Sequence, residues 1–130
     1  MGIAANIQSS DWKTEKHAPA ITCPDDFVKD EATEVQLSVG QELPHPHTTE
    51  HHIRWIQLFF KPEGGKFIYE LGKFDFTAHG EAVKGANEGP AYTDPIITVK
   101  VRLQESGTFM ALSYCNIHGL WESETEVSVS

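Results

Sequence analysis

Apolar and polar positions alternate with period two along much of this 130-residue chain. Val35, Leu37 and Val39 alternate with Glu34, Gln36 and Ser38, the pattern of a strand with one buried face. Ile97, Val99, Val101 and Leu103 alternate still more cleanly with Thr98, Lys100 and Arg102. Residues 108–115 (TFMALSYC) form a further strand candidate. The Ser106-Gly107 turn signal predicts that 97–103 and 108–115 pair as a hairpin. Residues 53–60 (IRWIQLFF) are rich in β-formers without clean alternation, which predicts a central strand buried on much of both faces. A turn over Lys61-Pro62-Glu63-Gly64-Gly65 then leads into a returning strand over 67–76, with Gly72 as a bulge or bend. Residues 18–23, ended by Pro24-Asp25-Asp26, predict another strand, and Val127 with Val129 a short final one. Residues 79–95, which hold three Gly and two Pro, read as a long loop. No stretch carries a helical period. The expected architecture is all-β, an immunoglobulin-like antiparallel β-sandwich of about seven strands. Without repeat, linker or low-complexity segment, residues 1–130 are expected to form a single domain.

Composition narrows the function. The chain is 39% hydrophobic and 22% charged, as in ordinary globular proteins. Its formal net charge of −9 disfavours nucleic acid, which needs clustered Lys and Arg, and anionic membranes. No apolar run approaches the ~20 residues that cross a bilayer. The first thirteen residues lack a basic segment leading into an apolar one, so a cytoplasmic protein is expected. In that setting Cys23 and Cys115 are expected to stay unpaired, with Cys23 a partly buried thiol without catalytic use.

The candidate chemistry lies in three segments. Cys115-Asn116-Ile117-His118 puts a thiol and an imidazole at the end of a strand, where a tight turn aims both at one point. By itself the motif also fits a buried Cys and an unrelated loop His. His45, His47, His51 and His52 lie within eight residues, with Pro44 and Pro46 holding His45 extended. Read blandly, they are a surface histidine patch. Within the strand that follows, His51 and His52 are expected to point to opposite faces, so at most one of them belongs to the site. His17 follows Glu15-Lys16, a carboxylate that can act as a replaceable ligand and an ammonium that attracts anions. A thiolate among imidazoles selects iron, copper or zinc over magnesium or calcium. More than four candidate ligands argue against a structural zinc. A blue-copper site wants a Met after the last His, and no Met follows His118.

Glu15-Lys16-His17-Ala18-Pro19, residues 44–56 (PHPHTTEHHIRWI), 76–81 (FTAHGE) and 113–121 (SYCNIHGLW) together resemble the superoxide reductases. The similarity is to the single-iron class, also called neelaredoxins, and to the catalytic domain of desulfoferrodoxins, and it runs along essentially the whole chain. The resemblance implies one mononuclear non-haem iron, cycling between Fe2+ and Fe3+. Its equatorial ligands would be His17, His45, His51 and His118, and its axial ligand Cys115. His47 and His52 receive no ligand role. The resemblance further implies that Glu15 can occupy the sixth position in the oxidised resting state. Lys16 would attract superoxide and orient the water that protonates the peroxide. The implied activity is one-electron reduction of superoxide to hydrogen peroxide, with re-reduction by an external donor such as rubredoxin, in a chain that forms a homotetramer. With only two cysteines, the four-cysteine centre of desulfoferrodoxins cannot form. The alternative is a β-sandwich metal-binding electron carrier without superoxide chemistry.

Overall fold

Residues 2–130 are described by a computed structural model. Its strands are β1 (Gln8–Ser9), β2 (Pro19–Thr22), β3 (Asp26–Phe27), β4 (Thr33–Val39), β5 (Ile53–Pro62), β6 (Tyr69–Asp75), β7 (Ile96–Val101), β8 (Gly107–Cys115) and β9 (Gly119–Val129). Among the described residues the one helical element is a 3-10 turn, Ala4–Asn6. The larger sheet has the order β1-β9-β8-β5-β6, with β3 also on β9, and the smaller has the order β2-β4-β7. Apolar residues from both sheets fill the space between them. Val35 and Leu37 of β4, Ile56 and Leu58 of β5 and Phe109 of β8 are fully buried. The Phe109 ring lies 5.7 Å from Phe27 and 5.4 Å from Phe60. This is the expected β-sandwich.

Three local expectations need correction. The strand at 96–101 does not form a hairpin with β8. It pairs antiparallel with β4, Val35 opposite Val99, while β8 lies between β5 and β9 in the other sheet. The turn residues between them therefore cross from one layer to the other, which lets both apolar faces meet the core. The final strand is not short: β9 runs eleven residues, from Gly119 to Val129. Inward positions there include Ser123 and Thr125, and this hid its period. Ser123 is accommodated because its hydroxyl donates to the Pro19 carbonyl. The sheets are also not wholly antiparallel, because the two-residue strands β1 and β3 pair parallel with β9. The bulge expected near Gly72 is present. Leu58 faces Gly72 and Phe59 faces Glu70, so Leu71 is the extra residue.

The topology gathers one end of the sandwich into a site. Antiparallel pairing puts the start of β5 beside the end of β8, Ile53 opposite Cys115. The start of β9 lies there too, Gly119 opposite Cys115. In the other sheet the start of β2 faces the end of β4, Pro19 opposite Val39. The chain segments carrying His17, His45, His51, Cys115 and His118 are extensions of these five strand ends.

Candidate metal centre

Cys115 closes β8 and Gly119 opens β9, so Asn116-Ile117-His118 forms a three-residue hairpin loop. Such loops need a residue in the left-handed region at their end, and Gly119 has φ +80. Handedness is what requires glycine there, since a Cβ would meet nothing within 4 Å. The loop turns the His118 N–H back to the Cys115 sulfur at 3.4 Å and sets His118 Nδ1 3.8 Å from it. An N–H aimed at a thiolate lowers its electron density and tunes any metal it holds. Cys115 is buried and His118 is exposed. Neither Cys115 nor Cys23 is in a disulfide.

His45 hangs from the segment after β4, and its ring Nε2 lies 3.7 Å from Cys115 Sγ. Its Nδ1 donates to the Pro46 carbonyl, which leaves a lone pair on Nε2. Gly40, at φ +91, lets the chain fold back against this residue. A Cβ at Gly40 would lie 2.3 Å from His45 N. Burial pushes the His45 pKa down to about 4, helped by neighbouring His17 and His51 and opposed by the bond to Pro46. The ring is thus neutral near pH 7 and available to a cation.

His17 precedes β2. The Glu15 carboxylate accepts from both its backbone N–H, at 2.9 Å, and its ring Nδ1, at 2.7 Å. Those two bonds hold the Glu15 carboxyl below the usual carboxylate range. A carboxylate on one ring nitrogen fixes the tautomer and raises the basicity of the other. Here that other atom, His17 Nε2, is buried without a hydrogen-bond partner. The Trp121 indole stacks on the His17 ring at 5.2 Å and 21°, while its Nε1 donates to the His118 carbonyl. Lys16 is half-buried beside them, and its charge is felt at Glu15, His45 and His51.

His51 and His52 precede β5 rather than lying within it. A turn closed by the Thr48 N–H donating to the His51 carbonyl at 2.8 Å sends their rings apart. His51 goes toward His45 and His118, with ring centroids 4.7 and 5.0 Å away, and its Nε2 is buried without a partner. Burial is the main cause of its lowered pKa, followed by His118 and His17. His52 goes the other way and stacks on His79 at 3.5 Å and 13°. The edge of this second group is His47, whose ring is 4.9 Å from His79 and whose Nδ1 accepts from the Ile53 N–H. All three are buried. Stacked rings direct their lone pairs along parallel planes, so His52 and His79 do not converge on one ion as they stand.

One set of donors does converge. His17, His45, His51 and Cys115 each offer an atom, and all four lie within 4.8 Å of one another. Two of these imidazoles carry buried, unpartnered nitrogens, a cost of about 1–3 kcal/mol each unless something occupies the space between them. Three nitrogens and a thiolate sulfur suit a borderline to soft transition metal. His118 stands at the rim of this group, its ring 4.4 Å from His17. Glu15 is engaged with His17. Two residues that matter here carry no signal in the sequence read alone. Asn87 lies in the loop at 79–95, and Asn116 fills the middle of the C-x-x-H motif. Their importance depends on what they touch.

The chain matches the family described as Desulfoferrodoxin over residues 9–124. It is 56% identical to the neelaredoxin of Megalodesulfovibrio gigas over 123 residues, 95% of each chain. A solved structure from Thermotoga maritima superimposes with TM-score 0.95 at 52% identity, covering 100% of this chain and 98% of its own. The superoxide reductase (neelaredoxin) of Archaeoglobus fulgidus in the reduced form gives TM-score 0.85 at 49% identity, covering 94% and 98%. With the match running from β1 into β9, the chain belongs to the desulfoferrodoxin family.

Proposed function

We propose that this chain is a superoxide reductase, taking one electron and two protons to convert superoxide to hydrogen peroxide without releasing dioxygen. The observation that carries the reading is the convergence of Cys115 with His17, His45 and His51, two of them with unpartnered buried nitrogens. Its relatives of about 50% identity with the same fold support the substrate. In this reading His17, His45, His51, His118 and Cys115 hold one mononuclear iron, which, when bound, supplies the electron. The residues around it supply the rest. Glu15 holds His17 in the tautomer that frees Nε2. Lys16 presents a positive charge near the site in a chain whose net charge is −9. A small anion responds to the field at the cleft more than to net charge. Lys16 also orients the water from which the product takes a proton. The exposed side of the site, at His118 and Ile117, admits substrate and a one-electron donor of the rubredoxin kind. The protein works as one domain, as a cytoplasmic homotetramer.

Elemental analysis of the purified protein together with its visible spectrum tests this reading. One iron per chain and a thiolate-to-iron absorption that appears on oxidation are expected. A colourless protein holding zinc would overturn it. Azide should perturb the oxidised spectrum, whereas a saturated electron-carrier site would not respond.

A further inference from the structure

The turn that carries His51 is gripped from outside by a single side chain of the long loop. Asn87 Oδ1 accepts from the Thr49 N–H at 3.0 Å, and Asn87 Nδ2 donates to the Glu50 carboxylate at 2.8 Å. Its backbone is equally engaged: the N–H donates to the Gly80 carbonyl, and the carbonyl accepts from the Tyr92 hydroxyl. Every polar group of Asn87 is therefore used. The residue has φ +63, which Asn tolerates better than other non-glycine residues. Gly80, at φ +88, makes room for it, since a Cβ there would lie 2.7 Å from Asn87 Oδ1. The Thr49 hydroxyl adds a bond to the His79 carbonyl at 3.0 Å. On its other side the same turn is held by Asn116, which accepts from the His52 N–H and donates to the Glu50 carbonyl. Asn116 is bonded to the Cys115 hairpin by sequence, so it ties the turn to the thiolate. Asn87 ties it to the body of the loop.

We infer that Asn87 is a positioning residue for the metal centre, fixing the Thr48–His51 turn so that the His51 imidazole stays aimed at Cys115. The inference rests on the ligand reading above. Residue 87 touches neither metal nor substrate and acts through the N–H and hydroxyl of Thr49 and the carboxylate of Glu50. Groups hydrogen-bonded directly to a ligand commonly change metal affinity or activity about 10–100-fold, and Asn87, one step further out, is expected at the low end of that range.

The test uses the full-length protein loaded with Co2+, whose visible bands report ligand geometry. Asn87→Gly keeps the positive φ and removes only the side chain. It should bind one Co2+ with the thiolate absorption retained, but with altered d–d bands and release to a chelator roughly tenfold faster. Asn87→Asp alone faces the Glu50 carboxylate with a second one and should release faster still. The double variant Asn87→Asp/Glu50→Gln reverses the donor and acceptor of that one bond and should recover near wild-type bands and release. Wild-type bands and release in Asn87→Gly, or no recovery in the double variant, would overturn the inference. Should Asn87→Gly fail to fold, Glu50→Ala removes the Nδ2 bond together with the carboxylate's own ties to its backbone and to Thr48, and should release metal faster than wild type; an unchanged rate would overturn it equally. A wild-type chain without thiolate-to-Co2+ absorption would instead remove the ligand reading itself, a result distinct from a wild-type-like Asn87 variant.

Discussion

Replacing Gly40 by Ala should damage the metal centre from a position that contributes no ligand. Gly40 has φ +91, and an added Cβ would meet His45 N at 2.3 Å, His45 Cβ at 2.8 Å and His45 Cα at 3.1 Å. All three clashing atoms belong to one candidate ligand, and two of them cannot swing away because they are backbone. Reaching ordinary contact requires His45 to retreat by roughly 1 Å, well beyond the ~0.2 Å tolerance of a metal–ligand distance. The positive φ adds about 1–2 kcal/mol of strain for any side chain. That strain alone should lower the thermal midpoint of the metal-free protein by roughly 3–8 °C. Gly64→Ala is the matched control, because Gly64 has φ +75 with nothing within 4 Å of an added Cβ. Both variants should lose metal-free stability, but only Gly40→Ala should also lose metal at least tenfold faster to a chelator. The assay is a melting curve with and without bound metal, paired with the release rate. If Gly40→Ala and Gly64→Ala release metal alike, the proposed link from Gly40 to His45 is wrong.

Three further outcomes are expected. Cys115→Ser should abolish the thiolate-to-metal charge-transfer absorption of the oxidised protein, and an unchanged visible spectrum would remove Cys115 from the ligand set. Lys16→Ala should slow the reaction with superoxide about 3–10-fold and flatten its dependence on ionic strength; pulse radiolysis at two salt concentrations measures both, and wild-type behaviour in each would remove the steering role. His47 is held at about 4 in the folded chain, chiefly by burial and then by His79 and His52, against an ordinary 6.5. Below 6.5 the unfolded chain binds the proton that the folded chain refuses, so metal-free stability should fall as pH drops from 6.5 to about 4. This amounts to up to about 3 kcal/mol. Denaturant titrations of wild type and His47→Asn at pH 7 and 4.5 should show a shallower loss in the variant, and equal slopes would contradict the assignment.

What the sequence made legible follows from how local each signal is. The period of 34–39 and of 97–103 identified β4 and β7 because each strand buries one face. Their partners were not legible: the Ser106-Gly107 signal is local, whereas the choice between β4 and β8 as neighbour of β7 depends on which layer closes the core. The length of β9 is hidden in the sequence for a related reason, since the inward Ser123 is satisfied by the Pro19 carbonyl about a hundred residues away in the chain. Cys115 and His118 could be grouped from their spacing, because a three-residue hairpin leaves few alternatives. The separation of His51 from His52 was legible as well, but its cause was not strand alternation. It comes from the Thr48–His51 turn, and the ring of His52 is kept away by its stack on His79. Asn87 is illegible, since its bonds reach residues 49, 50, 80 and 92, which only the folded loop brings together.

The central claim is that ferrous protein reduces superoxide rather than disproportionating it. A single pulse of superoxide onto an excess of the reduced, iron-loaded protein, with peroxide, dioxygen and oxidised iron measured together, tests this directly. One hydrogen peroxide and one oxidised iron should form per superoxide consumed, with no dioxygen. Dioxygen released in a one-to-one ratio with peroxide, or iron left fully reduced while superoxide decays at its spontaneous rate, would contradict the account.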